Sequence, residues 1–334
     1  MFSKPQIKLA GWLLLALAAV LLSWALATAY VIPSDSMERS LLVGDYVSIN
    51  KLTTDDPDPQ RNDVVVFYAP YEPQRGAKQR TLLIKRCVAG AGDTLAIRRG
   101  QVLLNGRPAP GTGQLQLTYF LEVAAPGDEV QAALRALGIV DNLEPSGLPA
   151  VTTNLETGRL GYLISCPAAT AAYLRRQPYV RALAEAGGHV PAGTLFPDQV
   201  DFRVSQARSA VPRNWQLDDY GPLAVPKKGQ TIALTPANAA TYYKIVAQYE
   251  PNPGISWQQG RIYQHGRPLT QYTIKQNYYF VLGDNRHNSE DSRFWGFVPE
   301  NYLVGRAARV WFSLDPYADA LHKIRWHRIG RPIR

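Results

Sequence analysis

No charged residue occurs between Lys8 and Asp35, which leaves 26 uncharged positions, Leu9 to Ser34. Within them the run LAGWLLLALAAVLLSWALATAYVI is roughly 35 Å long as a helix at about 1.5 Å per residue, enough to cross about 30 Å of hydrocarbon. Trp12, Trp24 and Tyr30 lie toward its ends, where aromatic rings favour the membrane interface. Lys4 and Lys8 on the short flank predict a cytoplasmic N-terminus and export of everything after residue 35. A cleavable secretory leader is the competing reading, and Ala27-Thr28-Ala29 offers an A-x-A site. The apolar region of a leader is only about 7–15 residues long, however. The sequence therefore favours a retained transmembrane helix over residues 9–32, behind a cytoplasmic segment of residues 1–8. Either reading exports the remainder.

That placement disposes of the obvious partner for a basic chain. Lys and Arg number 36 against 27 Asp and Glu, a net charge of +9, which on a cytosolic protein would admit nucleic acid. On an exported, anchored chain it points instead to anionic lipid headgroups, so membrane lipids are expected partners and nucleic acid is not. Two cysteines, Cys87 and Cys166, are too few for a disulfide scaffold or a Cys-based zinc site. They are read either as a pair or as two buried thiols. No ligand cluster with metal-binding spacing occurs, so neither a metal nor an organic cofactor is expected.

The exported part reads as mainly β and antiparallel, and 26 Gly with 25 Pro suit a turn-rich chain. Residues 64–68 (VVVFY) and 81–88 (TLLIKRCV) are strands closed by Pro or Gly. AIRRGQVLLNGRP (Ala96–Pro108) is a hairpin turning near Arg99-Gly100, with an exit at Asn105-Gly106. A similar unit, GRIYQHGRP, recurs at 260–268, and like turn chemistry explains it without a duplication. Between them the texture changes. Residues 128–137 predict a helix with an acidic start and Gly138 as its stop. A second helical stretch is expected over 168–186, broken near Pro178. Residues 109–215 therefore read as an α/β insertion between a first core segment, 33–108, and a second, 216–334, which ends in a basic tail. Strand texture resumes at 229–234, 278–282 and 305–314.

Three segments carry chemistry. The first, Pro33-Ser34-Asp35-Ser36-Met37, follows the apolar run at once, and alone it reads as an ordinary cap or turn. The second is Lys85, in an otherwise apolar strand. Period-two alternation puts Leu83, Lys85 and Cys87 on one face and Ile84, Arg86 and Val88 on the other. Either the strand is an edge with solvated charges, or a cation is buried. A buried lysine has its pKa lowered, and a value near 7–8 represents roughly 3–5 kcal/mol at about 1.4 kcal/mol per unit. The third is GDNRHNSEDSRFWG, residues 283–296, a dense polar loop directly after a hydrophobic strand. In it Asp291 and Arg293 are spaced to pair.

Taken together, Ser34-Asp35-Ser36-Met37, Ile84-Lys85-Arg86 and residues 283–296 resemble the motif boxes of the bacterial type I signal peptidases, in chain order and in distance from the apolar run. The resemblance covers about 32–108 and 216–312, with Arg328-Ile329-Gly330 also similar. It departs at Arg39-Ser40, where Pro and Thr or Ser are usual, and at Arg61-Asn62-Asp63, where Arg-Gly-Asp is common. It implies an antiparallel-sheet catalytic core of signal-peptidase type, with Ser36 as nucleophile and Lys85 as general base. It further implies an oxyanion hole from the Ser36 N–H and the Ser34 hydroxyl, and Ser289 orienting the lysine. Asp291 and Arg293 would brace the loop, and Gly283 would allow close backbone approach. Tyr30, Ile32, Pro33, Met37, Leu41, Leu83 and Ile84 match positions lining shallow pockets for small residues. The implied partners are exported preproteins cut after small residues at −1 and −3. The implied location is the bacterial cytoplasmic membrane, single-pass, with the catalytic domain outside. A pilin-maturing peptidase of the same superfamily would share the dyad, and a non-catalytic export adaptor would share the anchor. A Ser-His-Asp hydrolase would need a histidine, and of the five only His287 lies in the dense loop.

Overall fold

Runs such as Val64–Tyr68, apolar at every position, only pay as strands if both faces of their sheet are covered, and that is how the chain is arranged. The computed structural model describes residues 30–51, 58–72, 79–110, 115–140, 147–198, 213–250, 252–319 and 321–333. It opens with β1 (Tyr30–Val31), β2 (Asp45–Lys51), β3 (Val64–Tyr68) and β4 (Leu82–Ala89). A meander follows: β5 (Thr94–Arg98), β6 (Gln101–Leu104) and β7 (Arg107–Pro108). Next come β8 (Leu117–Val123), α1 (Asp128–Ala136), β9 (Val151–Thr153), β10 (Leu160–Cys166), α2 (Ala168–Leu174) and β11 (Val180–Glu185). The chain returns through β12 (Tyr220–Ala224), β13 (Thr231–Ala233) and α3 (Ala239–Lys244) to a second meander, β14 (Ile255–Gln258), β15 (Arg261–Gln264) and β16 (Arg267–Pro268). Then β17 (Gln271–Thr273), β18 (Tyr278–Leu282), α4 (Ser292–Trp295), β19 (Val298–Pro299) and β20 (Leu303–Ser313) complete it.

The main sheet has the order β1-β2-β20-β3-β4-β18-β19, and every neighbouring pair is antiparallel. Val65, Phe67 and Cys87 enter a large apolar cluster on one face, with Tyr278 to Leu282 and Trp295. Val64, Val66 and Ile84 face the other way, into a smaller cluster with Ile32, Met37, Leu41 and Val310. Fully burying one such side chain contributes about 1.5–3 kcal/mol, and the two-sided burial explains why β3 shows no polar alternation.

Strand β4 lies between β3 and β18 and is not an edge. Both Lys85 and Arg86 are buried, at 5% and 1% exposure, so of the two alternatives the solvated edge fails and burial holds, for both cations. The two meanders share turn geometry: Arg99-Gly100, Asn105-Gly106, Gln259-Gly260 and His265-Gly266 all have positive φ at both residues. That is the primed turn whose twist matches paired strands, and it accounts for the sequence likeness.

Residues 117–185 form a separate four-stranded sheet, β11-β8-β10-β9. With α1 and α2 it encloses its own cluster, around Tyr119, Leu121, Leu134, Tyr162 and Leu174. The helical stretch expected over 168–186 is shorter than its composition suggests. Only Ala168–Leu174 is helix, and Val180–Glu185 is β11, paired with β8. Cross-strand pairing on an open edge outweighs the helix propensity of its Ala, Leu and Glu.

The expected membrane helix over 9–32 lies outside the described residues except at its end. There Tyr30–Val31 is a strand paired with Val47 and Tyr46, so a helix cannot run to residue 32. Among the described residues, no helix is long and apolar enough to cross a membrane. Cys87 and Cys166 are both buried free thiols, each in a different apolar cluster, which rules out the pairing.

Candidate active site

Strand β1 leads into a tight turn that carries Ser36. Glu38 N–H donates to the Asp35 carbonyl and Leu41 N–H to the Met37 carbonyl, while Met37 and Leu41 drop into the smaller cluster as its anchors. Arg39 closes this turn with φ of +76°. Proline is locked near −65° and cannot take that conformation, so the departure at Arg39 from the usual box does change the turn. At the other departure, Asn62 has φ of +73°. Asparagine tolerates this region where glycine is more common, and its carbonyl accepts from Arg86 Nη1 at 2.6 Å.

Strand β4 brings Lys85 to the serine. Lys85 Nζ lies 2.7 Å from Ser36 Oγ and donates to the Ile84 carbonyl at 3.1 Å. Both residues are buried, Ser36 at 7% exposure. Burial lowers the lysine pKa from 10.5 to about 8, against the opposing pull of Asp291, Glu290, Asp35 and Asp284. The Ser34 hydroxyl lies 3.4 Å from Ser36 Oγ. The Ser36 carbonyl accepts from Asn285 N–H at 3.1 Å, which ties the turn to the polar loop.

That loop is held by two buried arginine–aspartate forks. Arg293 donates Nε to Asp291 Oδ1 at 2.9 Å and Nη2 to Oδ2 at 2.7 Å, and Gly283 N–H donates to the same Oδ2 at 3.1 Å. Arg86 grips Asp284 likewise, Nε to Oδ1 at 2.7 Å and Nη2 to Oδ2 at 2.6 Å, with Ser40 Oγ also donating to Oδ2. Charge-assisted forks of this kind are the stronger, more directional hydrogen bonds. The pairing of Arg86 with Asp284 escaped the sequence reading. The clue was a second cation beside Lys85 and a second acid in the loop.

Gly283 sits against the serines. A Cβ there would lie 2.2 Å from Ser289 Oγ and 2.6 Å from the Ser36 carbonyl oxygen. Gly283→Ala should therefore displace both serines and lower activity by about a hundredfold or more, since a shift near 1 Å costs that much. Steady-state kinetics on folded protein checks it; near-normal kcat would show that the contact is slack.

Several expected site residues are placed differently. The Ser289 hydroxyl is buried beside Gly283 but has no hydrogen-bond partner among the described residues, so the expected bond to Lys85 is not made. The Lys85 amine is instead turned toward Ser36 and the Ile84 carbonyl. Met37 and Leu41 have no exposed surface and Ile32 almost none, so they can shape a pocket only from beneath. Pro33 is exposed, Leu83 is partly buried, Ile84 is buried, and Tyr30 is partly buried with its hydroxyl donating to the Leu82 carbonyl. His287 does not approach the serine's base. Its Nδ1 accepts from Thr118 N–H at 3.0 Å and its Nε2 faces Asp218 at 2.9 Å. No group of three or more His, Cys, Asp or Glu is placed to hold a metal among the described residues.

A serine hydroxyl buried against an amine is a pairing that can serve nucleophilic catalysis, with the amine in the place histidine more often takes. The comparisons agree. The family described as "Signal peptidase, peptidase S26" matches residues 6–197 and 230–312. Signal peptidase I of Haemophilus influenzae is 24% identical over 302 residues, covering 87% of this chain and 64% of that protein. Signal peptidase I of Aquifex aeolicus is 25% identical over 300 residues, covering 90% of this chain and 81% of that protein. Over a shorter stretch of 68 residues, 20% of this chain and 22% of the relative, signal peptidase I of Buchnera aphidicola subsp. Schizaphis graminum is 50% identical. The chain thus spans somewhat less than two thirds of the Haemophilus relative. It belongs to the signal peptidase family, peptidase S26.

Proposed function

We propose that the chain is a membrane-anchored serine endopeptidase that removes N-terminal signal peptides from exported preproteins, with Ser36 as nucleophile and Lys85 as general base. The contact of 2.7 Å between Lys85 Nζ and Ser36 Oγ carries this reading. A serine hydroxyl is a weak nucleophile until a base within hydrogen-bond reach takes its proton. A neutral amine has one lone pair and two N–H bonds. With one N–H on the Ile84 carbonyl, the lone pair is free to accept from the Ser36 hydroxyl. A lysine in place of histidine is a recognised variant of the triad logic.

Attack of Ser36 Oγ on the scissile carbonyl would place the proton on Lys85, which passes it to the leaving amine. The neutral lysine then activates the water that releases the acyl group. The Ser36 N–H and the Ser34 hydroxyl are the donors for the tetrahedral oxyanion, and losing one such donor typically costs about 2.7–4 kcal/mol. Ile32, Met37, Leu41 and Ile84 lie beneath a surface to which Pro33, the partly buried Tyr30 and, from the other face of β4, the partly buried Leu83 contribute, suited to small side chains at −1 and −3. The N-terminal apolar run, ending a few residues before Ser36, would hold the site at the outer face of the cytoplasmic membrane, where a signal peptide's junction emerges. We treat 33–108 and 216–334 as the two parts of the catalytic core and 109–215 as an insertion between them.

The test is incubation of detergent-solubilised enzyme with a preprotein whose leader ends Ala-x-Ala, beside Ser36→Ala. Cleavage after the last alanine by wild type, and none by the variant, is expected. Binding without cleavage by wild type would make the chain an adaptor.

A further inference from the structure

The sheet β8–β11 has its own apolar cluster, yet its first strand is wired into the polar loop of the site. Gln116, one residue before β8, donates N–H to the Asp284 carbonyl at 2.9 Å and accepts from Arg286 N–H at 3.0 Å, forming a parallel bridge with Asn285. Asn285 in turn donates to the Ser36 carbonyl at 3.1 Å. One backbone ladder therefore runs from the small sheet to the nucleophile's own carbonyl.

Two side chains grip the small sheet from the site. His287, its side chain only 3% exposed, accepts Thr118 N–H on Nδ1. That acceptance puts the ring proton on Nε2, which donates to Asp218. The Thr118 carbonyl is already engaged by Ala186 N–H at 2.9 Å, one residue past β11, so the histidine completes that backbone position. Gly187 and Gly188 make room for it. Cβ atoms there would lie 2.9 Å from His287 Nδ1 and 2.2 Å from Asp218 Oδ2. Asp218 is held below the usual carboxylate range: burial raises it, but the His287 hydrogen bond and the charges of Arg293 and Arg286 outweigh that.

The second grip is Arg39, three residues after Ser36. Its Nη2 donates to the Leu137 carbonyl at 3.3 Å, at the C-terminal end of α1, where carbonyls lack intrahelical partners and a cation is favoured. In the amide orientation that satisfies both its ends, Gln116 accepts from Arg39 Nε at 3.1 Å and donates to the Ser165 carbonyl at 3.3 Å. Arg39 makes these contacts from a left-handed backbone conformation, φ +76°.

We infer that the sheet β8–β11 is a brace for the active site, and that Arg39 and His287 are the positioning residues through which it acts. One fixes the turn of Ser36, the other the loop whose Asn285 holds the Ser36 carbonyl and whose Asp291 and Asp284 are near enough to act on Lys85. Neither touches a reacting atom. The inference rests on the proposed reading of Ser36 as the nucleophile of a signal-peptide-cleaving enzyme, and its pH readout rests also on Lys85 as the base.

The experiment is steady-state cleavage of an Ala-x-Ala preprotein across pH by wild type, Arg39→Ala, His287→Ala and His287→Asn, each first shown to be folded by thermal melting. The two alanine variants should lose kcat about ten- to a hundredfold at little-changed KM. Their acidic limb should move to higher pH, because a loosened loop admits water to Lys85. His287→Asn should recover part of the kcat, since its carboxamide oxygen can accept from Thr118 N–H. Being larger than alanine and keeping an acceptor, it also keeps the test alive if His287→Ala does not fold. A loss of melting temperature alone, with kcat and the limb unchanged, would overturn the brace and leave a purely architectural contact. If instead wild type itself shows no limb that Lys85 governs, the base assignment fails. The kcat loss at constant KM then still decides for or against the brace.

Discussion

Lys85→Met should abolish cleavage and, at neutral pH, make the protein more stable. Removing one member of a nucleophile–base pair typically costs on the order of 10⁴ to 10⁶ in kcat. The stability gain has a separate origin. The folded lysine titrates at about 8, against 10.5 for the free side chain, because burial disfavours its charged form. Below about pH 8 the lysine is protonated in both states, and the native state carries the full penalty of about 3 kcal/mol at about 1.4 kcal/mol per unit. Between about 8 and 10.5 the unfolded chain holds a proton that the native protein has lost. Stability rises with pH through that window, and above it the penalty is gone. Methionine fills a similar volume without charge. Its gain at pH 7, less two hydrogen bonds at about 1 kcal/mol each, should be about 1–2 kcal/mol, vanishing or reversing near pH 11. Urea unfolding of detergent-solubilised protein at the two pH values measures it. A variant less stable than wild type at pH 7 would show that the lysine is not desolvated.

The same titration predicts the activity profile. Only the neutral amine can accept the Ser36 proton, so kcat should rise through about pH 8 and fall tenfold per unit below it.

How much of this was legible in the sequence depends on the kind of interaction. Val64–Tyr68 and Tyr278–Leu282 were readable as strands because an apolar run between turn residues has few other uses, and both are strands over those same residues. Ser36, Lys85 and the polar loop were legible as three dense or anomalous segments. Their meeting was implied by the family resemblance alone, because spacing along the chain carries no register between β4 and the turn after β1. What periodicity missed follows from tertiary pairing. Val180–Glu185 has the composition of a helix and is a strand because β8 offers it an open edge. Alternation along β4 left open whether Arg86 or Lys85 was buried or both were solvated; the partner that buries Arg86, Asp284, arrives from 198 residues away. His287 drew attention as the one imidazole in the loop. Only the fold shows that its ring faces Thr118 and Asp218, away from the serine's base.

Asp291→Ala should be the most destabilising single change near the site. Asp291 and Arg293 have no exposed surface, and the carboxylate accepts from Arg293 N–H, Nε and Nη2 as well as from Gly283 N–H. Removing it leaves a guanidinium buried without a counter-charge, an error that costs about 3–5 kcal/mol. It also frees Gly283, whose backbone touches Ser36 and Ser289, so activity should fall with stability. The two losses can be separated. A paired Asp291→Leu, Arg293→Met replacement removes both charges, and substituting a buried ion pair by apolar groups is often neutral or stabilising. Here the recovery should be partial, because Arg293 also donates to the carbonyls of Arg286 and Leu217, which lose a donor. More than half of the stability lost in Asp291→Ala should return, measured by denaturant unfolding. Activity should not return, because the anchor for Gly283 is still missing. If the double variant regained both, the fork would be a stability element with no hold on the serine. If it regained neither, shape at these positions would matter more than charge.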